Sequence, residues 1–273
     1  MVSSKTSEPP APRVSVQPQP RLDPGRFRGH RGGLIATHRA LARFVLNPFD
    51  LLISAALVAF LSVLWLLLLP FVCRFWRIVF TRGARILALN TAVGITDRRF
   101  SAYFHLSIPF PRVESVAPTS ELWWASTLAV LLLFGLSFLL KNNKIPFAYL
   151  IRAALCVQVS ALAYFAWSPA AFPHTSSGYL EGLVGYGIVL ISLIPALFGF
   201  TYFIFDFGLF RKVLLTFVTM IHLCLFVPLQ ALLHAVILQK SILFMPVLYI
   251  IFGLPLDILV VIAFYSWGMS WSS

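Results

Sequence analysis

Apolar residues run almost without interruption through six stretches of the chain, and polar residues gather between them. The stretches are about residues 51–73, 122–140, 146–167, 179–205, 213–238 and 242–267. Each is long enough to cross a hydrocarbon layer of about 30 Å as a helix rising ~1.5 Å per residue. The connections at 141–145, 168–178, 206–212 and 239–241 are short, so sequence neighbours are expected to lie antiparallel and adjacent. The pattern predicts an all-α integral membrane protein. Its core is a bundle of about six transmembrane helices, with one interfacial amphipathic helix and a possible short β-hairpin.

The pattern changes between the first two stretches. Arg74, Arg77, Arg82 and Arg85 share one face of a helical projection, with Phe75, Trp76, Val79 and Phe80 around the rest. Four arginines forbid a second crossing, so 74–89 is expected to lie in the plane of the interface, its arginines against lipid headgroups. Next, Phe100, Ala102, Phe104, Leu106, Ile108 and Phe110 alternate with more polar residues, the period of a half-buried strand. Val93 and Ile95 offer a partner strand across a turn near Asp97 and Arg98. Residues 74–120 are thus read as an interfacial helix plus an extramembrane strand segment within a membrane domain spanning 49–273.

Before that domain, residues 34–48 place Leu34, Leu41, Phe44 and Val45 on one helical face opposite Arg39 and Arg43, a juxtamembrane amphipathic helix ended by Asn47 and Pro48. Residues 1–33, rich in Pro and Arg, hold too little apolar surface to offset the entropy of ordering and are expected to be a disordered tail.

Composition agrees with a membrane protein. Hydrophobic residues make up 59% of the 273, charged residues only 11%, and mean hydropathy is +0.88. The net charge of +12 comes largely from arginines beside apolar segments, which points to anionic headgroups of the bilayer and not to nucleic acid. Cys73, Cys156 and Cys224 all fall in or at the end of apolar segments and suggest no disulfide framework. The first apolar run lies far from the amino terminus, so a cleavable signal is not expected. The basic residues flanking the spans favour both termini in the cytoplasm, and the whole fits a prokaryotic cytoplasmic membrane.

One helix carries a stripe of small residues: Gly178, Gly182, Gly185, Ser192, Ala196 and Gly199, broken only by Val189. Steps of four and three stay within a narrow arc, so a second backbone can approach closely, and the stripe is expected to be a helix-packing seam.

Ionisable residues within spans are costly and mark candidate sites. Arg152, His222 and Asp257 lie at comparable depths from one face of the expected bundle, so they are candidates for a ligand or proton-coupling site. Asp257 follows Gly253 and Pro255, where the helix is expected to break; a kink with Asp257 paired to Arg152 is the plain structural alternative. His174, Glu181, His234 and Lys240 form an outer group, expected to be hydrated at the interface. No His, Cys or carboxylate set has metal-ligand spacing, no cofactor motif occurs, and no nucleophile stands beside a base.

These features favour a non-enzymatic multi-pass subunit that scaffolds or assembles with other membrane proteins or with itself. The alternative is a small proton- or ion-coupled transporter using an intramembrane carboxylate. An enzyme acting on lipid carriers through His105 or His174 is the least supported reading.

Overall fold

The computed structural model describes residues 26–28, 34–36, 48–89, 91–99, 105–140, 144–201 and 209–270. The chain divides into two compact units, Met1–Val45 and Leu46–Ser273. In the first, β1 (Arg26–Arg28) pairs antiparallel with β2 (Leu34–Ala36), Phe27 opposite Ile35. Leu34–Ala36 is therefore strand where an amphipathic helix is expected to begin; three apolar residues alone fit either period. The rest of that expected helix through Asn47, and the expected disordered tail apart from β1, lie outside the described residues.

In the second unit the order is α1 (Pro48–Ile86), β3 (Ala92–Arg99), β4 (His105–Arg112), α2 (Ser120–Ser137), α3 (Ile145–Trp167), α4 (Ser176–Gly199), α5 (Leu209–Leu238), α6 (Met245–Ile250) and α7 (Leu254–Met269). Among the described residues, six helical stretches are long and apolar enough to cross a membrane, the last combining α6 and α7. This is the architecture of a multi-pass membrane protein. Pro48 opens α1, at the position where its missing N–H costs nothing.

The separate interfacial helix expected at 74–89 does not exist as its own element. Helix α1 continues through Pro70 for 39 residues, about 58 Å, roughly twice a hydrocarbon layer. The reason is a continuous buried stripe, Leu61, Trp65, Leu69, Cys73, Trp76, Phe80 and Ala84, at steps of four and three. Trp76 and Phe80 are fully buried, while Arg74, Arg77, Arg82 and Arg85 are exposed on the other side. Packing against the bundle, not the basic face, sets the direction of the second half of α1.

The hairpin forms with Ala92 opposite Arg112 and Arg99 opposite His105. Asp97 and Arg98 lie within β3, so the connection falls at 100–104, outside the described residues, and not at 97–98 as expected. On β4 the expected inward residues Leu106, Ile108 and Phe110 are buried, but the alternation holds only as far as Ile108, since Pro109 and Pro111 are buried too; the strand packs on α1 and α4. Val113 both donates to and accepts from Ser177 Oγ, at 3.1 and 2.8 Å, which ties the end of β4 to the start of α4.

Close helix contacts explain several prolines and glycines. Pro228 lacks the N–H that the Cys224 carbonyl would accept four residues earlier in α5. The Trp76 indole supplies it instead, at 2.8 Å. Between α4 and α5 the packing is tight at Gly187, where an added Cβ would lie 2.6 Å from Val227. The most buried face of α4 is Leu180, Val184, Gly187, Ile191, Ile194 and Phe198, which at ~100° per residue lies on the far side of the helix from most of the small-residue stripe.

Candidate functional site

The last span is interrupted. A 3-10 turn at Ile242–Phe244 leads into the six-residue α6, the helix stops at 251–253, and α7 starts at Leu254. Pro255 stands at the second position of α7 and cannot donate to a carbonyl of the preceding turn. A Cβ at Gly253 would lie 2.7 Å from the Tyr249 carbonyl oxygen, so the chain can turn this tightly only with glycine there. Irregular backbone at membrane depth persists only where other groups satisfy it. Gln230 of α5 does so: its Nε2 donates to the Phe252 carbonyl at 2.5 Å and to that of Gly253 at 3.3 Å.

Asp257 follows in the first turn of α7, where the helix dipole favours negative charge. It is 0% exposed, and among the described residues neither carboxylate oxygen has a hydrogen-bond partner. The Oε1 of Gln230 is likewise unpartnered. Three acceptor atoms without donors among the described residues therefore flank the break, an arrangement that attracts positive charge.

Beside the break is a cavity of about 1120 Å³. Its walls are the first turns of α4, the segment Phe172–Thr175, α6 and the break itself. Tyr179, Tyr186, Tyr249 and Phe172 contribute rings, and Met245 with several prolines completes an apolar lining. Tyr179, in the cavity wall, also reaches polar groups that do not line the cavity. Its ring stacks on that of His234 at 5.9 Å, its hydroxyl lies 2.8 Å from His234 Nδ1, and it is within electrostatic reach of Asp257. His234 is 1% exposed. The expectation that His234 is hydrated at the interface is thus corrected: tertiary packing gives it a tyrosine in place of water. A smaller apolar pocket of about 310 Å³ against α3 shares Phe172, Pro246 and Ile250 with the large one.

The three candidate residues keep separate company. Arg152 donates from Nε to Ser137 Oγ at 3.0 Å and from a terminal nitrogen to the Ser137 carbonyl at 3.4 Å, and lies 4.3 Å over the Phe138 ring. It joins α3 to the end of α2 and does not pair with Asp257. His222 is exposed and packs on Phe226 and Phe264. Only Asp257 belongs to the site at the break.

The small-residue stripe also divides. Ser192 accepts a hydrogen bond from the Trp65 indole at 2.8 Å, and Gly199 abuts Val58, so this end faces α1. Gly178 and Gly182 instead line the cavity. A Cβ at Gly182 would meet only Tyr186 of its own helix, at 3.8 Å. Gly185 and Ala196 are half-buried. Sequence reasoning missed Gln230 and the role of Tyr179. The available signal was the pair Gln230 and His234, two polar residues four apart on one face of an apolar helix.

Among the described residues no cluster of three or more His, Cys, Asp or Glu side chains is placed to hold a metal ion. No protein-family model, no curated protein and no solved structure matches the chain.

Proposed function

We propose that this protein is a small proton- or ion-coupled membrane carrier, with the cavity as its substrate site and Asp257 as its coupling group. The observation that supports the reading is Asp257 itself: a fully buried carboxylate with no partner on either oxygen, one turn past a break in a membrane helix. Broken helices at membrane depth supply ion and substrate sites in carriers because their freed backbone groups and dipoles face a cavity. Here Gln230 holds the break open while Asp257 takes up or releases the charge. Proteoliposomes bearing the wild-type protein should pass protons along an imposed pH gradient faster than those bearing Asp257→Asn. Equal rates would remove the carboxylate from the mechanism.

A scaffold or assembly subunit is a second reading, supported by the surface of α1. Its outer side leaves Arg74, Arg77, Arg82 and Arg85 exposed together with Phe75 and Ile78, which suits anionic headgroups and a second membrane protein or copy of the chain. Isolation in mild detergent as a stable complex or homo-oligomer would favour it, and a monodisperse monomer would count against it. In both readings we place the protein in a prokaryotic cytoplasmic membrane with both termini inside, from the basic residues that flank its spans. Accessibility of single cysteines introduced at Ser115 and at Lys212 tests that orientation.

A further inference from the structure

We propose that the cavity takes an apolar organic cation: an amine or onium group carried on a bulky hydrophobic body. The inference rests on the carrier reading and names its substrate class.

The lining residues offer rings and no fixed positive charge. Tyr179 and Tyr249 meet at 62° with centroids 5.9 Å apart, so they form two walls of a corner, and Tyr186 and Phe172 extend it. Aromatic faces carry negative quadrupole charge and attract a cation, most strongly where water is excluded. Among the described residues no lysine or arginine lines the space, and His174 is the single lining residue with an ionisable nitrogen.

Outside the cavity lining, the unpartnered oxygens of Asp257 and Gln230 add negative potential that no cation among the described residues neutralises by contact. Through a low-dielectric interior such a potential is felt at the cavity, and it disfavours an anion there. Tyr179 interacts electrostatically with both Asp257 and Tyr249, and its hydroxyl meets His234. The volume of about 1120 Å³ lies just above the usual range for small-molecule sites, about 300–1,000 Å³. It therefore suits a body of several rings or a branched chain, and the flexible Met245 lets the wall adapt to shape.

The test is equilibrium dialysis of the full-length protein, in nanodiscs of zwitterionic lipid, with radiolabelled tetraphenylphosphonium and with neutral triphenylphosphine oxide. Saturable binding of the cation is expected, about tenfold or more tighter than that of the neutral probe, with a further loss of about tenfold in Tyr249→Ala and in Asp257→Asn. Gly182→Leu, which adds bulk only toward the cavity, should abolish binding while the protein remains monodisperse. Equal binding of both probes, absence of binding, or binding unchanged by Gly182→Leu would each overturn the proposal. Proton flux lost in Asp257→Asn without binding of the phosphonium would sink this inference and leave the carrier reading standing. Binding that depends on Asp257 without any proton flux would do the reverse.

Discussion

The hydroxyl of Tyr179 and the Nδ1 of His234 lie 2.8 Å apart, with their rings stacked at 18°, and this pair joins α4 to α5 at the wall of the cavity. Because His234 is 1% exposed, no water replaces the bond if it is broken. Tyr179→Phe leaves a buried ring nitrogen without a partner, at a cost of about 1–3 kcal/mol. The midpoint of thermal unfolding in detergent should fall; an unchanged midpoint would show that the bond contributes nothing to stability.

Two glycines five residues apart on α4 should answer the same substitution in opposite ways. Gly187→Leu drives a side chain into Val227, 2.6 Å from the added Cβ, and overpacking of this kind costs about 1–3 kcal/mol or more. Gly182→Leu points into open cavity and replaces a weak helix former by a good one, a gain of up to about 1 kcal/mol. Relative thermal stability and the yield of monodisperse protein measure both. If Gly182→Leu proves the more damaging of the two, the cavity wall is wrongly assigned.

Much of this arrangement was legible in the sequence and some of it was not, for reasons particular residues make plain. The six apolar stretches and the β4 alternation of Leu106, Ile108 and Phe110 are strong periodic signals set by local geometry. The break ahead of Asp257 was readable because Gly253 and Pro255 restrict the backbone locally. The course of α1 past Cys73 was not, because four arginines look like an end to a span until Trp76 and Phe80 find a buried groove. The partners of Arg152 and Asp257 were equally hidden: comparable depth along two helices does not fix which faces meet. The same limit applies to the small-residue stripe, since a row of glycines permits close approach at Gly199 and borders empty space at Gly182.

The break in the last span makes its own demand on Gly253. Its added Cβ would press on backbone atoms, the carbonyls of Tyr249 and Leu248, which cannot rotate away as a side chain would. Gly253→Ala should therefore reshape the break and lower stability by about 1–3 kcal/mol. Gln230→Leu, which withdraws the donors from Phe252 and Gly253, should have a comparable effect through unsatisfied carbonyls. Hydrogen exchange at 251–257 is the informative measurement, because both variants should speed it there more than in α4. Uniform acceleration along the chain would mean general destabilisation in place of a local opening.

The contact of Trp76 with α5 allows a sharper test through compensation. The indole donates to the Cys224 carbonyl because Pro228, inside α5, has no N–H to give. Trp76→Phe keeps most of the buried ring and removes the donor, so the carbonyl is left unsatisfied at about 1–3 kcal/mol. Pro228→Ala restores the helical N–H four residues on, which then competes with the indole in the wild-type background and replaces it in the variant. The double variant should accordingly be more stable than Trp76→Phe alone, and the two changes should couple by about 0.5–3 kcal/mol in a double-mutant cycle. Unfolding midpoints of the four proteins give that coupling directly. Strict additivity would mean that the indole and the missing N–H do not serve the same carbonyl.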